Sequence, residues 1–260
     1  MPTFGMCAGP DKAALIKAAG WAYVEGSVQG LLQGLVPDDQ WTGEAVIRAS
    51  ALPVPAANML VPGSLKVTGP TANLESLEEY MTAVLSRAGK TGVRTVVFGS
   101  GAARAVPEGF DRAAAREQIL EFLRKSAPIA GRHGVTIVVE PLHRGECNIL
   151  NSVQESMEYV KAVNHPNFQC LVDSYHFWLE DEPLENLRDA MPWIKHVHLA
   201  DKVGRVAPGL SGQSDYKPFF NVLKEGHYDG MISFEGKEIP DFANEAPKVL
   251  DYVKREWSLA

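Results

Sequence analysis

The feature that most constrains this chain is an apolar run that stops on a charge. In residues 135–152, VTIVVEPLHRGECNILNS, five apolar or β-branched residues end at Glu140. A short run with no polar alternation reads as a parallel strand buried on both faces, and a carboxylate at its exit cannot belong to the packing. Three later segments repeat the pattern. FQCLVDSYH stops on Asp173, IKHVHLAD carries His198, and GMISFEGKE delivers Glu235.

Helical spacing fills the intervals between these runs. Residues 73–89 place Leu74, Leu77, Tyr80, Met81 and Leu85 on one face, with Asn73 as cap and Gly92 closing the turn. A strand at 93–98, a helix at 111–133 and the strand at 135–140 follow. Then come helix 152–164, strand 168–173, helix 183–191, strand 194–200, helix 216–225, strand 231–235 and helix 241–257. The first third is less regular: strands at 4–8, 23–25 and 53–61, helices at 11–19 and 38–51, and a Gly-rich stretch at 26–34. Strict alternation predicts a parallel sheet, and eight units in 260 residues predict an α/β fold of the closed (β/α)8 TIM barrel type, a single domain over 1–260.

The formal charge of −7 with no basic stripe argues against nucleic acid as a partner. Nowhere do 18 apolar residues run together, and MPTFGMCAGP has no signal-peptide pattern, which predicts no membrane contact and a cytoplasmic location. Cys7, Cys147 and Cys170 show no metal-type CxxC spacing and predict no disulfide framework; Cys147 and Cys170 fit buried positions.

In a barrel the C-terminal ends of all strands converge on one face, which brings Glu140, Asp173, His198 and Glu235 together. Three carboxylates in one pocket repel, and burial forces protons onto them unless a cation compensates. Oxygen donors with a single imidazole suit Mn²⁺ best, with Mg²⁺ or Co²⁺ as alternatives.

These residues also carry a family resemblance. EPLHRGECNILNS, DSYH, HVHLADKVGRVAPG and SFEG, in that order, resemble the sugar isomerase/epimerase superfamily with a xylose isomerase-like barrel, in particular its ketose 3-epimerase and hydroxypyruvate isomerase branches. The resemblance covers about residues 93–257. It implies metal ligation by Glu140, Asp173, His198 and Glu235, substrate contacts from Glu146, His176 and Arg205, and an acid/base pair formed by Glu140 and Glu235. The implied substrate is a small ketose or keto-sugar, and the implied chemistry is proton transfer through an enediolate. A carboxylate is too weak a base for such a proton unless a metal polarises the carbonyl. Two positions depart from the branches: His143 stands where the epimerase pattern usually has Asn, and His198 where the hydroxypyruvate isomerases usually have Gln. His143 offers an additional base, of use to the alternative of a metal-dependent lyase or dehydratase acting on a keto-sugar of the 3-keto-glycoside type.

Blander roles compete at several positions. His196 shares a strand face with His198 and fits a hydrogen-bonded core residue. His133, His165 and His227 fit exposed positions, and GSGAAR at 99–104 fits a turn. Phe177, Trp178 and Trp21 are candidates for an apolar wall against a sugar. A DNA-repair endonuclease on the same barrel would want a basic face, which the charge opposes, and a non-catalytic sugar-binding barrel is the alternative outside enzymes. A homo-oligomer is compatible with the sequence.

Overall fold

The apolar runs form strands in the expected order. The computed structural model describes residues 1–260, with β1 Thr3–Cys7, β2 Tyr23–Ser27, β3 Ala56–Asn58, β4 Thr95–Phe98, β5 Thr136–Val139, β6 Phe168–Asp173, β7 Ile194–Leu199 and β8 Met231–Phe234. Each strand pairs in parallel with the next, and β8 pairs with β1 to close the barrel. Closure leaves no sheet edge, and all C-terminal strand ends open onto one face.

Helices cover the outside because their apolar stripes match the strands. Leu74–Thr91 buries Leu77, Tyr80, Met81, Val84 and Leu85. Its first turn is capped by Asn73, whose side chain accepts the Ser76 N–H at 3.0 Å, and its last turn ends at Gly92 with φ of 87°. Arg112–Arg132 is capped by Asp111, and Val153–Val163 by Ser152. At the latter, the Glu155 carboxylate returns to accept the Leu150 and Asn151 N–H groups, fixing the end of the segment after Glu140. One apolar layer joins the outer strand faces to the helices, and a separate plug of Val97, Val138 and Leu171 packs within the barrel.

The first third departs from its sequence-based outline. The helix expected over 38–51 is a 3-10 turn, Asp38–Gln40, followed by a short helix, Gly43–Arg48. Between them the Trp41 indole N–H donates to the Leu31 carbonyl at 2.7 Å, and Gly43 sits against that same carbonyl where no side chain fits. The Gly-rich stretch contains a helix, Val28–Leu31. The third strand shrinks to three residues because Pro53 and Pro55 have no N–H to donate. Their carbonyls still accept from Val24 and from Arg94 and Thr95. A further short helix, Ser174–Leu179, starts directly after β6, in the interval that the sequence pattern leaves between strand 168–173 and helix 183–191.

No helix is long and apolar enough to cross a membrane. The barrel plug generates a stability prediction. Leu171 is fully buried, so Leu171→Ala removes packing that the closed strands cannot collapse to replace. Urea unfolding should show a loss of about 2–5 kcal/mol; a loss below about 1 kcal/mol would mean the barrel interior is not close-packed.

Candidate active site at the strand ends

The strand exits deliver four donors to one volume. Glu140 follows β5, Asp173 ends β6, His198 lies in β7 and Glu235 follows β8; one ligand atom from each lies within 4.8 Å of all the others. Both glutamates are still held by ladder bonds, Glu140 N–H to the Phe98 carbonyl at 3.3 Å and Glu235 N–H to the Leu199 carbonyl at 3.1 Å. The carboxylates therefore stand on rigid backbone. Gly99 makes room: a side chain there would collide with Glu140 Oε2.

His198 sits at the centre. Its Nε2 lies 3.0 Å from Glu25 Oε1, and its Nδ1 faces Glu140 Oε1 at 3.1 Å and Glu235 Oε2 at 3.5 Å. A neutral imidazole that donates through Nε2 turns an Nδ1 lone pair toward two carboxylate oxygens. Such an array demands a proton or a cation between its members. In the protein without a cation, the proton supplies that charge: burial would lower the His198 pKa, but Glu25 and Glu235 outweigh it and hold the imidazole well above its ordinary value.

Asp173 adds a second sign. Its Oδ1 accepts the Tyr175 N–H at 2.7 Å, while Oδ2, sealed from solvent, has no hydrogen-bond partner. Burial first, and then the charges of Glu140 and Glu235, push its pKa up to about 7. Burial and Glu235 likewise raise Glu140. For Glu235, burial acts upward, but His198 and Arg205 overcome it and bring the carboxyl down to about 2. An orphaned carboxylate oxygen, two further carboxylates and an imidazole lone pair are a donor set that fits a hard divalent cation.

An outer ring faces the same opening. Arg205 donates to Glu235 Oε2 at 2.6 Å and to Glu146 Oε1 at 3.2 Å, with its guanidinium 4.9 Å from the Tyr175 ring centre. Its placement depends on Asp201, a buried carboxylate that accepts the Gly209 and Ser211 N–H groups and the Ser211 and Tyr216 hydroxyls and so folds the 201–216 loop. Arg205 itself has φ of 52°, and its carbonyl accepts the Lys237 N–H across Gly236, where any side chain would collide. His176, on the short helix after β6, is kept neutral: burial and then Arg205 lower it to about 3. His143 is not in the carboxylate cluster. Its Nδ1 and its backbone N–H both meet His176 Nδ1, at 2.9 and 3.2 Å, and its Nε2 lies toward Gly145.

Four groups that matter here stand outside the candidates that the sequence offers. Glu25 ends the apolar part of β2. Asn58 donates to Glu235 Oε1 at 2.7 Å from the end of β3. Arg104, inside GSGAAR, is fully buried without a carboxylate partner, and donates to the carbonyls of Phe98 and Glu140 at 2.6 and 2.7 Å, pinning β4 to β5 beside the site. Asp201 is the fourth. His196 is a buried residue bonded to Glu25, as its strand face suggests. The aromatic wall does not form: Phe177 and Trp21 are core, Trp178 packs on Tyr216 and Phe219, and none of the three lines the cavity. Of the remaining histidines only His227 is exposed; His133 and His165 are half-buried. The cavity above the cluster, about 430 Å³, is walled by Asn58, Glu140, Glu146, Arg205 and Glu235, a size and polarity suited to a small polar ligand.

Comparisons with known proteins agree with this architecture. A family model described as xylose isomerase-like TIM barrel matches residues 13–255. The chain is 28% identical over 167 residues to 3-dehydro-D-guloside 4-epimerase of Escherichia coli (strain K12), a match covering 63% of each chain. It is 31% identical over 121 residues to L-ribulose 3-epimerase of Methylomonas sp. (strain DH-1), covering 46% of this chain and 42% of that protein. The chain thus spans less than two thirds of the curated relatives it matches. The crystal structure of D-allulose 3-epimerase from Methylomonas sp. in complex with D-allulose superposes with a TM-score of 0.83 at 21% identity, over 98% of this chain and 97% of that one, which shows the shared fold.

The raised groups set a pH dependence. A carboxyl such as Asp173 whose folded pKa exceeds its unfolded value contributes stability at low pH that is lost as pH rises from about 4 to about 7. A cation bound there would offset that loss, and it would displace protons from the groups whose pKa values are raised, Asp173 and His198 foremost. Titrating the cation-free protein with Mn²⁺ at pH 6 in weakly buffered solution should release about one proton or more per ion, and the rise in Tm on adding Mn²⁺ should grow from pH 5 to pH 8. Binding without proton release would contradict the electrostatic picture.

Proposed function

This chain belongs to the xylose isomerase-like TIM barrel family, and from that premise we propose that it is a divalent-metal-dependent epimerase or isomerase of a small ketose or keto-sugar. The observation that carries the reading is the convergence of Glu140, Asp173, His198 and Glu235 within 4.8 Å, with Asp173 Oδ2 buried and without a hydrogen-bond partner, Arg205 standing 3.7 Å away. These four would hold the cation, Mn²⁺ by preference, with Mg²⁺ or Co²⁺ as alternatives. Bound there, it would supply the positive charge that acidifies a C–H next to a sugar carbonyl and stabilises the negative charge of the enediolate.

The residues of the chain do the rest. Glu140 and Glu235 reach the same volume from β5 and β8, so a carbon placed between them can lose a proton to one carboxylate and regain one from the other. Return to the opposite face inverts that carbon, and return to its neighbour isomerises the sugar. Asn58 and Arg205 hold the two oxygens of Glu235 and fix the direction of its free lone pairs. Arg205, Glu146 and His176 bind substrate hydroxyls or the carbonyl. His176 is suited to donate there: its Nδ1 accepts from the His143 N–H, which leaves the proton on Nε2, 4.0 Å from Glu146; Arg205, itself only a donor, lies 3.5 Å away and cannot accept it. The contact with His176 supports an orienting role for His143, whose remaining nitrogen faces its own loop and not the carboxylates.

Incubating the Mn²⁺-loaded protein in D₂O with ketoses and 3-keto-sugars tests this. Deuterium should enter at a carbon beside the carbonyl of at least one member, with an epimer or isomer as product; no exchange into any member despite a bound metal would sink the assignment. Glu235→Gln should fold normally and lose roughly 10²–10⁴-fold in turnover, the usual worth of a general base. Near-normal turnover would remove Glu235 from the pair.

A further inference from the structure

The strand-end cluster rests against a second, buried group that the proton transfer does not use. At the Nε2 side of His198, opposite Glu140 and Glu235, lies Glu25 from β2. Its Oε1 is 3.0 Å from His198 Nε2 and its Oε2 is 2.6 Å from His196 Nε2. The Ser233 hydroxyl donates to the same Oε2 at 2.6 Å and lies 2.8 Å from the Tyr23 hydroxyl. All five side chains are sealed from solvent.

A charged carboxylate only accepts hydrogen bonds, so both imidazoles must donate to Glu25 through Nε2. For His198 this decides which nitrogen is free. With the proton on Nε2, the Nδ1 lone pair faces Glu140 and Glu235, where the cation would lie. With the proton on Nδ1, a lone pair would confront Glu25 and leave a buried carboxylate oxygen unpaired, a costly arrangement. His196 and Ser233 hold the other oxygen, so Glu25 cannot swing away from His198. A mere core position would be filled more cheaply by an apolar or amide side chain than by a buried carboxylate.

We infer that Glu25 is a positioning residue that locks His198 in the Nε2–H tautomer and thereby commits His198 Nδ1 to the divalent cation. The inference rests on the metal-dependent reading of the strand-end cluster. Glu25 lies on the Nε2 side of His198, away from the nitrogen that faces Glu140 and Glu235, and its assigned role acts through His198.

Glu25→Gln probes it without changing volume. The amide oxygen can accept from one imidazole, but the amide N–H₂ confronts the other donors, so one ring must turn or move its proton. By calorimetry on the full-length protein, Mn²⁺ affinity should fall about 10–100-fold, the usual effect of losing such a partner. Ser233→Ala removes a donor to Glu25 yet keeps both imidazole contacts, and should stay within about threefold of the parent. ¹⁵N imidazole NMR of the Mg²⁺-loaded parent should show the His198 proton on Nε2 in slow exchange. That spectrum decides the matter even if Glu25→Gln does not fold. Unchanged Mn²⁺ affinity in Glu25→Gln, equal losses in Glu25→Gln and Ser233→Ala, or a His198 proton on Nδ1 would each overturn the role of Glu25 while leaving the cation site standing. A parent protein that binds no Mn²⁺ would overturn both.

Discussion

Everything at the barrel mouth depends on the mutual repulsion of carboxylates held in a dry space. Glu140, Asp173 and Glu235 meet around His198, with Glu25 behind it, and the only permanently charged cation in contact with the cluster is Arg205. In water such groups would spread apart and hydrate. Here the ladder bonds of β5 and β8 and the short path from each strand to its side chain forbid it. Burial first, and then the neighbouring carboxylates, raise the pKa values of Glu140 and Asp173, while at His198 burial acts downward and the charges of Glu25 and Glu235 overcome it to raise the imidazole strongly. An arrangement of this kind favours positive charge, which is the property that the proposed enolising chemistry would need.

The surroundings are arranged to keep that geometry from relaxing. Arg104 is a buried cation whose partners are backbone carbonyls, including that of Glu140, so it holds a strand end and not a side chain. Asp201 does the same for the loop that carries Arg205, with four donors on one carboxylate. Gly99 and Gly236 leave space where Glu140 and the Arg205 carbonyl need it. Of these groups only Gly99 lines the cavity, yet each limits motion of one that does. Rigid strand ends carrying chemistry, with the loops adding substrate contacts, is the division of labour expected of this barrel face.

The parts of this arrangement that were legible in the sequence share one property: a sharp change of polarity. VTIVV followed by Glu140, or FQCLV by Asp173, announces both the strand and its functional end, because a parallel strand buried on two faces tolerates no charge until it leaves the sheet. The same rule applied to β2 points at Glu25, but YVEGS is short and runs into glycine, so its carboxylate reads as the start of a loop. Arg104 was illegible for the opposite reason: an arginine in GSGAAR looks like a surface group, and only the fold reveals the three carbonyls around it. β3 was blurred by Pro53 and Pro55, which accept but cannot donate, so the strand survives as three residues. The aromatic candidates do not wall the cavity, because aromatic side chains in a run such as YHFWL satisfy helix packing first.

The central claim is that the four strand-end side chains form one cation site. Anomalous diffraction at the manganese edge from crystals soaked in Mn²⁺ addresses it without reference to any substrate. A single strong peak bounded by Glu140, Asp173, His198 Nδ1 and Glu235, with Arg205 moved off Asp173, is the predicted result. No peak there, or a peak coordinated instead by His143, Glu146 and His176, would contradict the account.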